Sequence, residues 1–400
     1  MISASRLEKL RTPYFMLILM AITIQVGFAS WSAILNNFAH DDAAFTGADM
    51  GLLQSVREIP GFLAFTAVFF ILLWREQTFA LISLVVFGIG IAITGMFPSV
   101  TGLLITTFIM SLGFHYYETM SQSLQLQWLP KETAAKQLGT ILAASAFGQL
   151  LIYGLVILLW KVLALPYIAM FWVFGGLTLS LVLFIILFFP TFDQPHLQNK
   201  KLILRKRYWL YYALTFMSGA RRQIFVVFAA WMMVEKFGYH VHEVAFLFII
   251  NTTFNMFFAR KIGSAIGHFG ERAALTFEYV GLIIVFVSYA FVNNAFLGAS
   301  LYVIDHFFFA LAIAMKTYFQ KIADPADMAP TAAVAFTINH IAAVVIPVAF
   351  GVIWLYNPAY VFFAGAGFAV VSLILSQLIP RHPVEGHETL WVKPKVAVGE

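Results

Sequence analysis

Residues 101–126 read TGLLITTFIMSLGFHYYETMSQSLQL. A helix of roughly 20 apolar residues crosses the hydrocarbon core of a bilayer, and this segment is long enough to do so. Within it Ser111, His115, Glu118, Gln122 and Gln125 recur at spacings of four, three, four and three, which places them on one helical face. An ionised side chain at bilayer depth costs at least a few kcal/mol, so it persists only against a protein interior or a watery cavity. This stretch is therefore a membrane helix with a polar side, one wall of a larger assembly.

Similar segments flank it on both sides. Apolar windows lie near 14–39, 49–74, 78–96, 134–160, 166–190, 208–234, 243–262, 273–292, 297–317, 331–354 and 358–379. The 400-residue chain is 61% hydrophobic and 11% charged, with mean hydropathy +0.87. Soluble domains average about 45–50% apolar and about 25% charged. The expected fold class is an all-α membrane protein of twelve transmembrane helices. The first span is too long for a signal-peptide core, lacks a small-residue cleavage site and is expected to stay in the mature protein. With no Cys, disulfides and thiolate metal sites are excluded. A pI of about 9.2 invites a nucleic-acid reading, but the basic residues sit in short loops between apolar segments.

Those loops set the orientation. With the N-terminus inside, only Lys161 and Lys236 of the 24 Lys and Arg fall in outer loops, and Arg57, Arg221 and Arg222 lie within spans. The first outer loop is acidic, with Asp41, Asp42 and Asp49. An excess of Lys and Arg on the cytoplasmic side places both termini there. The longest polar stretch, 191–207 (TFDQPHLQNKKLILRKR), divides the chain into bundles at 1–190 and 208–380. A tail at 381–400 follows and is expected to be mobile.

The loop after span 8 reads Gly263-Ser-Ala-Ile-Gly267-His-Phe-Gly270-Glu-Arg272. With six plus six helices and a basic central loop, it resembles the major facilitator superfamily over about residues 10–380. The family's inner-loop motif is G-x-x-x-D-x-x-G-x-[RK]. Gly263, Gly270 and Arg272 match it, and Gly267 stands where Asp is usual. The equivalent loop after span 2, Leu73-Trp74-Arg75-Glu76, keeps only a charge pair. Span 5 runs Gly139 to Gln149 without the Pro of the G-P-x-x-G-G stretch found in the family's drug antiporters, which argues against drug/proton antiport. The resemblance implies two bundles rocking about a central site near the midplane, with spans 1, 4, 7 and 10 lining it. It also gives Gly263, Gly270 and Arg272 a part in the gate.

The polar residues carry two readings each. On span 4, His115 and Gln122 line a cavity or form a helix–helix hydrogen-bond seam, and Glu118 carries protons or joins that seam. On span 7, one of Arg221 and Arg222 faces the cavity while the other pairs with a neighbouring helix, and the residues do not say which. A guanidinium suits carboxylate or phosphate recognition. Arg57 and Glu58 on span 2, followed by Pro60-Gly61, suit a gate ion pair better than a substrate ligand. On span 10, Asp305 and His306 form a proton relay, or Asp305 bridges to an arginine. Gln25, Asn251, Asn255 and His340 are cavity candidates or ordinary interhelical hydrogen bonds. Glu278, close to the inner end of span 9, is expected to snorkel to the interface.

A channel would need a continuous polar pore, whereas these charges are irregular. No H-E-x-x-H, nucleophile elbow or Asp-rich metal motif supports a membrane enzyme, and no Walker-type loop supports an ATP-driven pump. The expectation is a secondary active transporter, not an enzyme, for a small organic solute with a lean to an anionic one. It is expected to be proton-coupled and multi-pass in the cytoplasmic membrane. Proton-antiport efflux of drugs or metabolites is the alternative. Solute, protons and membrane lipids are the expected partners of a monomer, with no cofactor, metal or nucleic acid.

Overall fold

A computed structural model describes residues 10–70, 73–129, 134–193, 204–324 and 327–391. Residues 194–203 of the central loop and 392–400 of the tail lie outside the described residues. The helices are α1 (Pro13–Asp41), α2 (Gly47–Phe62), α3 (Glu76–Thr94), α4 (Val100–Trp128), α5 (Ala134–Ile157), α6 (Tyr167–Phe188), α7 (Trp209–Gln223), α8 (Val241–Phe269), α9 (Glu271–Phe291), α10 (Ala295–Ala310), α11 (Met328–Tyr356) and α12 (Pro358–Ser376). Among the described residues, ten helical segments are long and apolar enough to cross a membrane, and they involve every helix named except α2 and α7. Lipid offers no partner for backbone polar groups, so helices that satisfy their own are the expected form.

Capping chemistry starts several helices. The Thr12 hydroxyl accepts from the Phe15 N–H at 3.2 Å with Pro13 next in line. Ser99 accepts from Gly102, and Asn294 from Leu297, each at 3.1 Å. The two segments that fall short of the apolar criterion are both followed by a change of helix type. After α2 the chain tightens into a 3-10 turn, Leu63–Thr66, and resumes as Ala67–Phe70. Pro60 lies inside α2, where it has no N–H to give and its ring crowds the preceding turn. After α7 a π-helical turn, Ile224–Ala229, precedes a last helical stretch, Ala230–Glu235. Such turns gather at functional positions in helices. These segments carry Arg57 with Glu58 and Arg221 with Arg222.

The chain forms two compact units. The first comprises 1–45, 56–198 and 239–252, and the second 46–55, 199–238 and 253–400. In the first, α3 packs on α4 and α6, while α1 packs on α5 and α6. The α3–α4 contact needs glycine: a Cβ at Gly113 would meet the Ser83 carbonyl oxygen at 2.4 Å, and one at Gly90 the Met110 nitrogen at 2.5 Å. Small residues let membrane helices approach closely enough for dispersion to hold them. In the second unit α9 packs on α12 and α10, and α7 on α11 and α12. Pro347 interrupts the ladder of α11, and the Val348 N–H donates to the Ser55 hydroxyl at 3.0 Å.

The tail does not hang loose as far as residue 391. The Leu390 N–H donates to the Leu378 carbonyl at 2.9 Å, the Tyr318 hydroxyl donates to the Glu388 carbonyl at 2.6 Å, and Trp391 stacks on Trp209 at 5.3 Å. Tyrosine and tryptophan, each with an apolar body and a polar handle, hold the segment down where a composition-based reading expected mobility.

Beside it, Asp327 receives hydrogen bonds from Arg205 at 3.0 Å, Arg207 at 3.3 Å and the Tyr208 hydroxyl at 3.1 Å. The Arg205 hydrogen bond holds the Asp327 carboxyl below the usual carboxylate range. A depressed folded value contributes stability above the unfolded value of about 3.9, lost as pH falls through the folded value. Asp327→Asn should therefore unfold a few degrees earlier than the parent between pH 5 and 8 (roughly). The gap should close in more acidic buffer. Thermal denaturation across pH checks this, and an Asn variant that matches the parent at neutral pH refutes it.

Candidate functional site

Each unit carries a polar cluster at membrane depth. In the first, α2 and α4 supply it. Arg57 Nη2 lies 2.5 Å from Glu58 Oε1, and the Ser111 hydroxyl donates to the Arg57 carbonyl. Both charged side chains are nearly closed off, at 12% and 10% exposure. One turn along α4, His115 Nδ1 lies 3.7 Å from Glu118 Oε2. His115 is buried, but the Glu118 side chain is 40% exposed. The residues on one side of α4 are thus brought together as their spacing predicted. Gln122 is exposed on that helix, and Gln125 donates to the Ser121 hydroxyl at 3.0 Å. Gln25 on α1 is half-buried and Asn251 on α8 is buried, and both fall in this unit.

In the second unit, α7, α9 and α12 enclose Arg221. Its side chain is fully buried, as is that of Glu278, and Arg221 Nη2 lies 3.5 Å from Glu278 Oε1. Arg221 Nη1 donates to the Ser372 hydroxyl, and the guanidinium carbon sits 4.4 Å from the Tyr279 ring centre. Glu278 therefore does not snorkel. It turns inward because a buried arginine waits on α7, and the alternative for both groups is an unpaired charge. Arg222, about 100° further round α7, is exposed and forms no ion pair among the described residues.

Asp305 on α10 is fully buried, and neither carboxylate oxygen has a hydrogen-bond partner among the described residues. His306, its neighbour, turns elsewhere: His306 Nε2 lies 2.7 Å from Asn255 Nδ2, and the His306 ring lies 6.0 Å from Phe225. Phe225 also stacks on Tyr302 at 4.9 Å and lies against Phe309 at 5.4 Å. Histidine, amide and three aromatic rings thus form one wall. His340 is buried in α11 with Nδ1 2.9 Å from the Phe336 carbonyl oxygen.

At the α8–α9 corner, Gly263 is exposed and Gly270 has φ +85°, a left-handed conformation that favours glycine. Arg272 donates through Nε and Nη2 to Gln377 at 3.3 and 3.2 Å, tying this corner to the end of α12. The shorter loop before α3 is held differently. Gln127 on α4 donates to both oxygens of Glu76 at 3.1 Å, and Gln77 accepts from the Phe192 N–H at 2.8 Å.

Sequence reasoning missed Ser372 and Tyr279, and misplaced Glu278. On α9 the exposed residues Phe277, Val280, Ile284 and Phe291 alternate with buried Leu275, Glu278, Leu282 and Val285. A helix apolar on all sides hides that division, so the signal lay only in the cost of a charge about seven residues into the helix.

A polytopic helical protein with charges buried in several helices and a short polar corner between long ones defines a transporter class. A family model for the Major Facilitator Superfamily matches residues 14–347, and the chain belongs to that family. It is a multi-pass membrane transporter and not an enzyme. No curated protein matches it. Solved structures show the same fold. A mutant of the nucleoside transporter NupG has TM-score 0.74 and 16% identity, over 92% of this chain and 99% of that one. A bacterial homologue of the human lysosomal transporter Spinster, inward-facing and occupied, has TM-score 0.69 and 14% identity, over 91% and 95%.

Proposed function

We propose that the protein is a proton-coupled secondary active transporter of a small organic solute, working by alternating access in the cytoplasmic membrane. Twelve spans with both termini in the cytoplasm, bundles at 1–190 and 208–380, and a monomer complete the reading. The observation that carries it is the state of the Glu118 side chain. Glu58, Glu278 and Asp305 are closed off at membrane depth, whereas Glu118 is 40% exposed beside buried His115. A coupling carboxylate must meet water to exchange its proton, and alternating access would switch the side it meets. Asp305 is the next candidate, with His306 beside it in sequence.

Arg222 supports an anionic solute. Glu278 takes the charge of Arg221, which leaves Arg222 as the exposed guanidinium of this segment. His115, Gln122, Gln25 and Asn251 in the first unit, and Asn255 and His340 in the second, would supply hydrogen bonds. Arg57 with Glu58, and Gly263, Gly270 and Arg272, would serve the gates. A second reading, a heteroaromatic solute of nucleoside type, rests on the Phe225–Tyr302–His306–Asn255 wall and on the likeness to NupG. Efflux is the opposite direction of the same cycle.

Uptake into proteoliposomes with an imposed pH gradient, run with small carboxylates, organic phosphates and nucleosides, tests the reading. Accumulation of a carboxylate or phosphate that collapses with a protonophore is expected. Accumulation untouched by the protonophore would sink proton coupling, and nucleosides alone accumulating would favour the second reading. Reporter fusions after Lys136, Lys201 and Lys395 should behave as cytoplasmic, and those near Asp42 and Asn294 as external. A C-terminus outside would refute the even span count.

A further inference from the structure

The α8–α9 corner opens onto a groove of about 640 Å³ lined by Phe269, Gly270, Arg272, Phe277, Val280 and Arg381, with His382 at its rim. Small-ligand sites run to about 300–1,000 Å³. Its two ends differ in chemistry. One end is basic: Arg381 and His382 are exposed, and Arg272 spends Nε and Nη2 on Gln377 while Nη1 has no partner among the described residues. The N-terminus of α9 opens there with no side-chain cap, adding the positive end of a helix dipole. Among the described residues, no carboxylate lines the groove. Glu271 is held by Lys321 at 2.7 Å, and Glu278 is buried against Arg221.

The other end is apolar and faces outward from the bundle. Phe277 and Val280 are 58% and 43% exposed, and Ile284, one turn further on the same helical face, is 61% exposed. A basic end and an apolar stripe that runs along a membrane helix match an anionic amphiphile lying parallel to that helix. Guanidinium groups bind phosphate through paired N–H donors, and basic recesses at the ends of membrane helices take anionic headgroups.

We infer that this groove is a binding site for an anionic phospholipid. Its phosphodiester would lie against Arg272, Arg381 and His382, and an acyl chain along Phe277, Val280 and Ile284. The inference depends on the membrane placement of α9 and not on the solute, the coupling ion or the direction of transport.

The test uses the full chain, delipidated in a neutral detergent, with phosphatidylglycerol and phosphatidylcholine of identical acyl chains. Native mass spectrometry counts retained lipid, and thermal denaturation reads stabilisation. The parent should retain phosphatidylglycerol over phosphatidylcholine. R381E/H382A should bind phosphatidylglycerol at least about fivefold more weakly, the usual scale for one charge at a membrane surface. A273W, which fills the groove without touching a charge, should lose the same preference. K316E, reversing a charge on an exposed lysine elsewhere in the unit, should keep it. No lipid preference in the parent overturns the inference. So does equal loss in K316E, which would mean net charge alone, or equal stabilisation by inorganic phosphate, which would mean a small-anion site. Phosphatidylglycerol binding retained in both R381E/H382A and A273W would overturn it as well.

Discussion

Arg221→Ala is expected to leave no stable, monodisperse protein, whereas Arg222→Ala should purify like the parent and fail to bind solute. The two residues are adjacent on α7, but Arg221 is fully buried with Glu278 as its partner and Arg222 is exposed. Removing Arg221 strands the Glu278 carboxylate and also forfeits the Ser372 hydrogen bond and the Tyr279 ring contact. Breaking a buried pair from one side costs about 3–5 kcal/mol, against a total stability of roughly 5–15 kcal/mol for a folded domain. Replacing both partners, as in R221M/E278M, removes the stranded charge and should restore much of the lost thermal stability. Size-exclusion profiles and denaturation midpoints of the two single variants and the double one decide the matter. If Arg221→Ala is as stable as the parent, the buried pair is not holding α7 to α9. If Arg222→Ala transports normally, the anionic reading has lost its cation.

Glu118→Gln should separate binding from coupling. Glutamine keeps the shape and the hydrogen bonding of glutamate but carries no exchangeable charge. The variant should bind solute and exchange it across vesicles at a rate near the parent's, yet fail to accumulate it against a gradient. Proton movement with solute, followed by a pH-sensitive dye, should vanish with it. His115 lies 3.7 Å away, so His115→Gln should shift the pH dependence of exchange without abolishing it. Accumulation at the parent's level in Glu118→Gln would move the coupling role to Asp305, whose buried carboxylate is the next site to substitute. Loss of exchange together with accumulation would instead make Glu118 a solute ligand.

The chain's patterning alone determined the all-helical, multi-pass character of the fold and the shared face of Ser111, His115 and Glu118 on α4. Hydrocarbon tolerates neither open backbone nor stray charge, so apolar runs and their punctuation translate directly into helices. The spacing of Ser111, His115 and Glu118 likewise carried into space, because helix geometry is local and three- and four-residue steps always share a face. What no local rule could decide was which side of an apolar helix faces its neighbours. Arg221 and Arg222 differ by one residue, and only packing against α9 and α12 assigns one to Glu278 and leaves the other exposed. The same holds for Glu278 itself, whose inward turn depends on a partner 57 positions earlier in the chain. Hydrophobic patterning separates protein from water but scarcely separates protein from lipid, since lipid-facing and core-facing residues are equally apolar. Burial direction within the membrane is therefore settled by steric fit and by charge finding charge, and both are properties of the tertiary structure.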